Sequence, residues 1–274
     1  MKKNGGVKSK KELERRFGKM AESIAGYQEH IDFRSMEDFN DEAFAFLMEN
    51  VKGVNMLDVN ETDITNESIT LLTGLEYVKE LRAKECRHLD NDCVDDLNKL
   101  TSLVFLHLKS TNITVDGLLR LKNLPDLKTL MFSADDVAGI KEQLLQLKTM
   151  LPHCEIVINS KPYYFDAIDL FIHALKTKPF KYRLKIKNQS ITDTWSNSLG
   201  QTDDNSIEAG NQGMYSLDDI EWVDINPIVR IEEEPMKVKE QDHSPDIIKL
   251  LENLTFPYMI TDGIISAYVL RLEI

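Results

Sequence analysis

The residue types best able to do chemistry fall together in "LRAKECRHLDNDCVDDLNKL", Leu81 to Leu100, which holds Cys86, His88, Cys93 and four aspartates. Thiolate and imidazole at short spacing are zinc ligands, and a structural zinc site needs four of them, commonly as paired C-x2-C elements. Here Cys-x-His is followed, after four residues, by one more cysteine and no second pair. That spacing does not complete a tetrahedral set, so no metal is predicted. Other candidates fail on similar grounds. His107 has no identifiable nucleophile or carboxylate partner beside it. Asp203–Asp204 and Asp218–Asp219 are adjacent carboxylates in polar stretches, where nothing holds the geometry that acid–base catalysis requires. The Asp-x-Asp-x-Asp-Gly calcium loop is absent. The sequence therefore predicts no catalytic residues, no cofactor and no enzyme activity.

The cysteine cluster has another origin, an internal repeat. Leu57, Val59, Ile64, Ile69, Leu72, Leu75 and Val78 recur at identical offsets as Leu106, Leu108, Ile113, Leu118, Leu121, Leu124 and Leu127. Thr62 matches Thr111 and Thr65 matches Thr114 in the same frame. With one extra loop residue, Leu81, Ala83, Cys86, Leu89, Val94, Leu97, Leu100 and Leu103 form the copy between them, so the unit recurs after 24 or 25 residues. A degenerate first copy starts at Ile31, another starts at Leu130 and Phe132, and "CEIVIN" (Cys154 to Asn159) supplies a last strand. Each unit opens with strand alternation and closes at helical spacing. Such a unit cannot close a core alone, and stacked copies bury a continuous one. Cys86 takes the place of Thr62 and Thr111, where a small polar side chain bonds loop backbone from a semi-buried site.

Strings such as "TNITVDGLLRLKNLPDLKTL" and "ECRHLDNDCVDDLNKLTSL" resemble the leucine-rich repeat of the cysteine-containing type. They look like the repeats of F-box proteins and are similar to those of the ATP synthase subunit s family. The resemblance covers roughly residues 31–159 and implies an α/β leucine-rich-repeat solenoid. No F-box is legible in the first 30 residues, so a ubiquitin-ligase role is not carried over.

In such strands side chains alternate between core and surface. With Leu81 and Ala83 inward, the concave face carries one row of Asp32, Asp58, Arg82, His107 and Met131 and a second of Arg34, Asn60, Lys84, Lys109 and Ser133. Its centre is basic on an acidic protein. The predicted partner-binding residues are Arg34, Asp58, Asn60, Arg82, Lys84, His107, Lys109 and Met131, and the partner expected there is a protein presenting an acidic segment. The bland alternative is a solvated sheet face.

After Asn159 the repeat stops. A helix is predicted from about Phe165 to Lys176 and a strand in "KYRLKIKN", with Tyr182, Leu184 and Ile186 on one side. "LKIKNQSITD" copies the repeat's opening offsets, but no helical half follows. Residues 188–229 contain no lysine or arginine and several acids, and Asn197 to Gly213 read as a polar loop. "IEWVDINPIVRIEEE" reads as strand interrupted at Pro227, "SPDIIKLLENL" as a helix capped by Ser244, and "FPYMITDGIISAYVLRLEI" as a hairpin turning at Asp262-Gly263. The predicted organisation is a capping helix over 1–30, with Leu13, Phe17, Met20 and Ile24 on one side, a repeat region over 31–159, and a small α+β domain over 160–274.

The 274 residues, 42% hydrophobic and 29% charged, suit a globular chain with real cores. A net charge of -13 argues against a nucleic-acid binder. The basic start lacks the apolar stretch of a signal peptide, no window is long enough to span a bilayer, and three cysteines give no disulfide framework. A cytoplasmic, non-enzymatic interaction scaffold is expected. The alternative is an acidic, immunity-type inhibitor whose 188–229 run engages a basic toxin or nuclease; a third reading, an enzyme in the carboxy-terminal domain, would need a deep pocket there with converging polar groups.

Overall fold

Six apolar residues, one from each of six strands, lie side by side. Ile31, Leu57, Leu81, Leu106, Leu130 and Ile156 are successive lateral partners, and each is at most 1% exposed. The structure, a computed structural model, describes residues 10–269 except 35, 177, 192–193, 204–205 and 234–236. The chain forms two units, Met1–Tyr164 and Phe165–Ile274.

The first unit runs α1 (Lys10–Ser23), β1 (Gly26–Asp32), α2 (Asp41–Met48), β2 (Val51–Asp58), α3 (Asn66–Leu72), β3 (Tyr77–Arg82), α4 (Val94–Leu97), β4 (Phe105–His107), α5 (Val115–Leu118), β5 (Thr129–Phe132), α6 (Lys141–Met150), β6 (Glu155–Ile158) and β7 (Lys161–Pro162). The strands form one seven-stranded sheet in chain order. The first six are parallel and β7 returns antiparallel along β6. This is an α/β repeat, with strand and helix alternating and the helical residues Ile69, Leu72, Val94, Leu97 and Leu118 buried. Leu13, Phe17 and Ile24 are buried at the amino-terminal end, while Met20 is half-buried. The degenerate first copy fills its core with Phe33, Phe39 and Phe44, whose rings meet at 4.6–6.3 Å.

The turn after β2, β3 and β4 repeats too. Glu61, Glu85 and Ser110 all sit near φ +60°, a left-handed conformation uncommon for residues other than glycine. One residue later, Thr62 Oγ1 donates to the Val59 carbonyl at 2.7 Å and Thr111 Oγ1 to that of Leu108 at 2.8 Å. Cys86, in the equivalent position, is wholly buried and reaches into the preceding unit, donating Sγ–H to the Val59 carbonyl at 3.0 Å. Cys93 donates to the Asp90 carbonyl at 3.1 Å. These cysteines are thus occupied by the framework, and among the described residues no three His, Cys, Asp or Glu side chains converge on a point. Burial pushes the Cys86 thiol up and those of Cys93 and Cys154 up to about 12. Ellman's reagent is therefore expected to leave all three thiols unmodified in the folded protein and to titrate them after denaturation, with a Tm indifferent to chelators. Rapid labelling of Cys93, or a Tm lowered by EDTA, would overturn the framework role.

A polar ladder that the sequence reading did not extract ties the helix starts together. Asn40, Thr65, Asp90 and Thr114 each cap the helical turn that follows them. The residue after each cap then holds the next one. Asp41 accepts from Thr65 N at 2.9 Å, Asn66 from Asp90 N at 3.2 Å and Asn91 from Thr114 N at 2.9 Å. The orphan N–H groups of helix starts are thereby satisfied from one copy to the next.

The second unit runs α7 (Ala167–Leu175), β8 (Lys181–Ile186), β9 (Gly200–Asp203), β10 (Ser206–Glu208), β11 (Met214–Ser216), β12 (Ile220–Asn226), β13 (Ile228–Glu233), β14 (Lys237–Asp242), α8 (Ser244–Asn253), β15 (Tyr258–Thr261) and β16 (Ile264–Tyr268). A four-stranded antiparallel sheet ordered β15-β16-β12-β8 shares one core with both helices, where Phe171 stacks on Phe256 at 4.8 Å. β8 pairs antiparallel with β12, so the "LKIKNQSITD" offsets are not a further copy. The turn at Asp262-Gly263 has φ of 51° and 77°, as a two-residue hairpin needs.

Two expectations are corrected. The loop predicted over Asn197–Gly213 contains β9 and β10, and β10 pairs with both β9 and β11, because Leu199, Ile207 and Ala209 are buried in the core. Ser244 does not cap α8. Its own N–H and Oγ–H donate to Asp242 at 2.8 and 2.6 Å, so the carboxylate two residues earlier takes that place. Residues 1–9, Asp193, Asp204 and the expected strand residues 270–274 lie outside the described residues.

Candidate partner-binding face

The open face of the first unit's sheet is set by register. Asp32, Asp58, Arg82, His107 and Met131 are laterally adjacent in that order. Arg34, Asn60, Lys84 and Lys109 follow them by two residues, beyond the strand ends. The structure brings the eight predicted residues together in the first unit but gives them different surroundings. Asp58 is 2% exposed and does not present itself to a partner. It accepts from Asn60 N at 3.1 Å and lies 3.4 Å from Arg34 Nε. Asn60 in turn accepts from Lys84 N at 2.6 Å, joining neighbouring copies.

The basic centre expected from sequence is also modified, because most cations are already paired. Arg34 holds Asp32 at 2.6 Å and keeps its carboxyl at about 2. Arg82 Nη2 meets Glu80 at 3.0 Å. Lys84 lies between Glu61 at 3.0 Å and Glu85 at 3.1 Å, and these hydrogen bonds raise its pKa. Lys109 donates to Ser160 Oγ at 2.7 Å. Near-neutral mixed charge replaces a bare positive patch. His107 is half-buried, and burial first, then Lys84, Arg82 and Lys109, hold its pKa below the usual histidine value.

Sequence alternation missed part of this face. Val54 and Leu57 are both buried, as are Val78 and Leu81, so two consecutive residues turn outward in each strand, Asn55-Met56 in β2 and Lys79-Glu80 in β3. Met56, Glu80 and Phe105 therefore form a further lateral row. The Arg82 guanidinium lies 5.3 Å over the Phe105 ring, and His107 meets the same ring edge-on at 6.3 Å. At the strand starts Tyr27 and Tyr77 stack across Gly53 at 6.1 Å, and a Cβ on Gly53 would come within 2.5 Å of the Tyr77 ring. The signal was the V-x-x-L spacing, which breaks strand periodicity. Aromatic, Met and Arg side chains on one uncovered face match the composition of protein interfaces.

In the second unit an open groove of about 710 Å³ lies beside β13 and the Asp262-Gly263 turn, and its facing charges Arg230 and Glu240 pair at 3.0 Å. The acidic run divides. Glu208, Asp218 and Asp219 are exposed, whereas Asp224 is buried against Arg183. Among the described residues, no helix is long and apolar enough to cross a membrane.

No family model matches the chain. It is 31% identical over 116 residues to the mitochondrial ATP synthase subunit s of Homo sapiens, an alignment covering 39% of this chain and 57% of the relative. The Pongo abelii and Mus musculus proteins of the same name are 31% and 29% identical over the same shares. The chain thus spans a little over half the length of the curated relatives it matches. Those relatives are named as subunits of an assembly.

Proposed function

We propose that this protein is a non-enzymatic interaction module whose first unit, a leucine-rich-repeat solenoid of the cysteine-containing type, binds a protein partner on its open, concave sheet face. In this reading residues 1–30 cap the solenoid, 31–159 form it and 160–274 are a separate α+β domain. The chain works in a reducing compartment such as the cytoplasm. The observation that carries the reading is the uncovered strip of Met56, Phe105, Arg82, His107 and Met131, side by side on neighbouring strands. Likeness to subunits of an assembly supports a protein as the partner, and Arg82, whose pair with Glu80 is exposed, offers a cation to an acidic segment.

The test is affinity capture from native lysate with the wild type and an Arg82→Glu/Lys84→Glu variant. The variant is expected to weaken a specific partner by roughly ten- to a hundredfold, the cost of reversing charge in an interface centre. A partner that ignores the variant and is released by high salt would move the binding site to the acidic surface around Glu208, Asp218 and Asp219.

A further inference from the structure

Building on the open-face reading, we propose that one carboxylate of the partner docks between Arg82 and His107, accepting from Arg82 Nε and His107 Nε2, and that docking takes up a proton on His107. Arg82 and His107 are direct lateral partners on β3 and β4, about 4.8 Å apart at the backbone, and both side chains meet the same Phe105 ring. Among the described residues neither nitrogen has a hydrogen-bond partner, and both are shielded from solvent. Desolvated donors without acceptors are rare in native proteins and call for a ligand or a function. The other cations of the face do not compete for the role. Lys84 is held by Glu61 and Glu85, Lys109 by Ser160, and Arg34 by Asp32.

Phe105 fixes both donors, lying under the guanidinium and meeting the imidazole edge-on. Access requires that the Arg82 and His107 side chains part enough to uncover the shielded nitrogens and that Arg82 Nη2 leave Glu80. That ion pair is more than a third exposed on both sides, and exposed pairs hold weakly.

The proton follows from the groups facing the imidazole. Arg82 and Lys84 face it from the β3 side, Lys109 from just beyond its own strand, and Asp58 from β2, while Met131 on β5 is uncharged. Burial and three cations against one carboxylate keep the imidazole neutral in the free protein near neutral pH. A carboxylate brought between Arg82 and His107 favours imidazolium, and the proton it gains comes from solvent. Above the free-state pKa, binding must take up that proton. Affinity therefore rises as pH falls, by at most about tenfold per pH unit, and levels off once the free protein is itself protonated.

The experiment is fluorescence anisotropy on the full chain at fixed ionic strength. The probe is a short oligo-glutamate peptide, with its oligo-glutamine counterpart as control. An isolated glutamate stays ionised between about pH 7.5 and about pH 5.5; neighbouring carboxylates raise one another's pKa, so the free peptide is titrated alongside and only the remaining change is ascribed to the protein. The expected result is glutamate-dependent binding that tightens several-fold over that range. His107→Gln keeps a neutral donor and should flatten the profile while retaining the high-pH affinity. Arg82→Lys, which keeps the charge and loses Nε, should weaken binding at every pH, with unchanged Tm in both variants. A pH-independent wild type, an unaltered profile in His107→Gln, or no binding of the glutamate peptide overturns the anchor. Binding that ignores both variants but is lost in Lys84→Glu/Lys109→Glu also overturns it, while leaving the open face as the partner site.

Discussion

Replacing Asp224 by alanine is expected to destabilise the second unit by about 3–5 kcal/mol, the cost of removing one partner from a buried ion pair. Asp224 is 2% exposed at the centre of β12. Its Oδ2 accepts from Arg183 Nε at 3.0 Å and Nη2 at 2.7 Å, and its Oδ1 accepts from Ser266 Oγ at 2.6 Å. The register makes this arrangement possible, because Arg183 on β8 and Ser266 on β16 are the lateral neighbours of Asp224 on either side. Arg183 is itself only 19% exposed in its side chain and lies 4.6 Å over Trp195, so it cannot swing into water without leaving the indole. Alanine strands that guanidinium and the Ser266 hydroxyl together. Urea unfolding followed by tryptophan fluorescence reads the effect. The double variant Arg183→Met/Asp224→Leu should recover most of the loss, since replacing both charges by apolar groups is often neutral or better. A single variant that costs under about 1 kcal/mol would show the pair to be solvated.

Leu106→Ala is expected to cost about 2–5 kcal/mol in the first unit, the range for a large-to-small change in a well-packed core. Leu106 has no exposed surface and stands between Leu81 and Leu130 in the apolar row. The change therefore opens a cavity facing a neighbouring copy on each side. In a stack where each copy gains its stability from its neighbours, the loss spreads along the row. Native-state hydrogen exchange should show faster opening of β3, β4 and β5 amides, with β8, β12 and β16 retaining their protection. Loss confined to β4, or a change below about 1 kcal/mol, would contradict a continuous core.

How legible the molecule was differs between its halves. In the first, Leu57, Leu81, Leu106 and Leu130 announce their rows because each copy has to bury the same positions, and that requirement repeats along the chain every 24 or 25 residues. The rank order Asp58, Arg82, His107, Met131 follows from the same frame. Met56 and Phe105 escaped it because two outward residues in a row interrupt the alternation that an extended strand would show. In the second unit, Leu199, Ile207 and Ala209 are single apolar residues in a polar stretch. No period marks them, and they become core only when β10 pairs with its neighbours.

By itself the sequence determined the repeating unit, its strand and helix halves, and the residues that line its core. Burial of an apolar set is written in fixed spacings that any reader of the chain can count. The tertiary structure alone decided which polar and charged groups meet. Glu61 reaches Lys84 across 23 residues, Asn91 holds Thr114 across another 23, and Asp224 meets Arg183 across 41. Such pairings depend on which strands or copies lie side by side and where their side chains point. That is why Asp58 became a buried support, while Arg82 and His107 kept donors with no acceptor among the described residues.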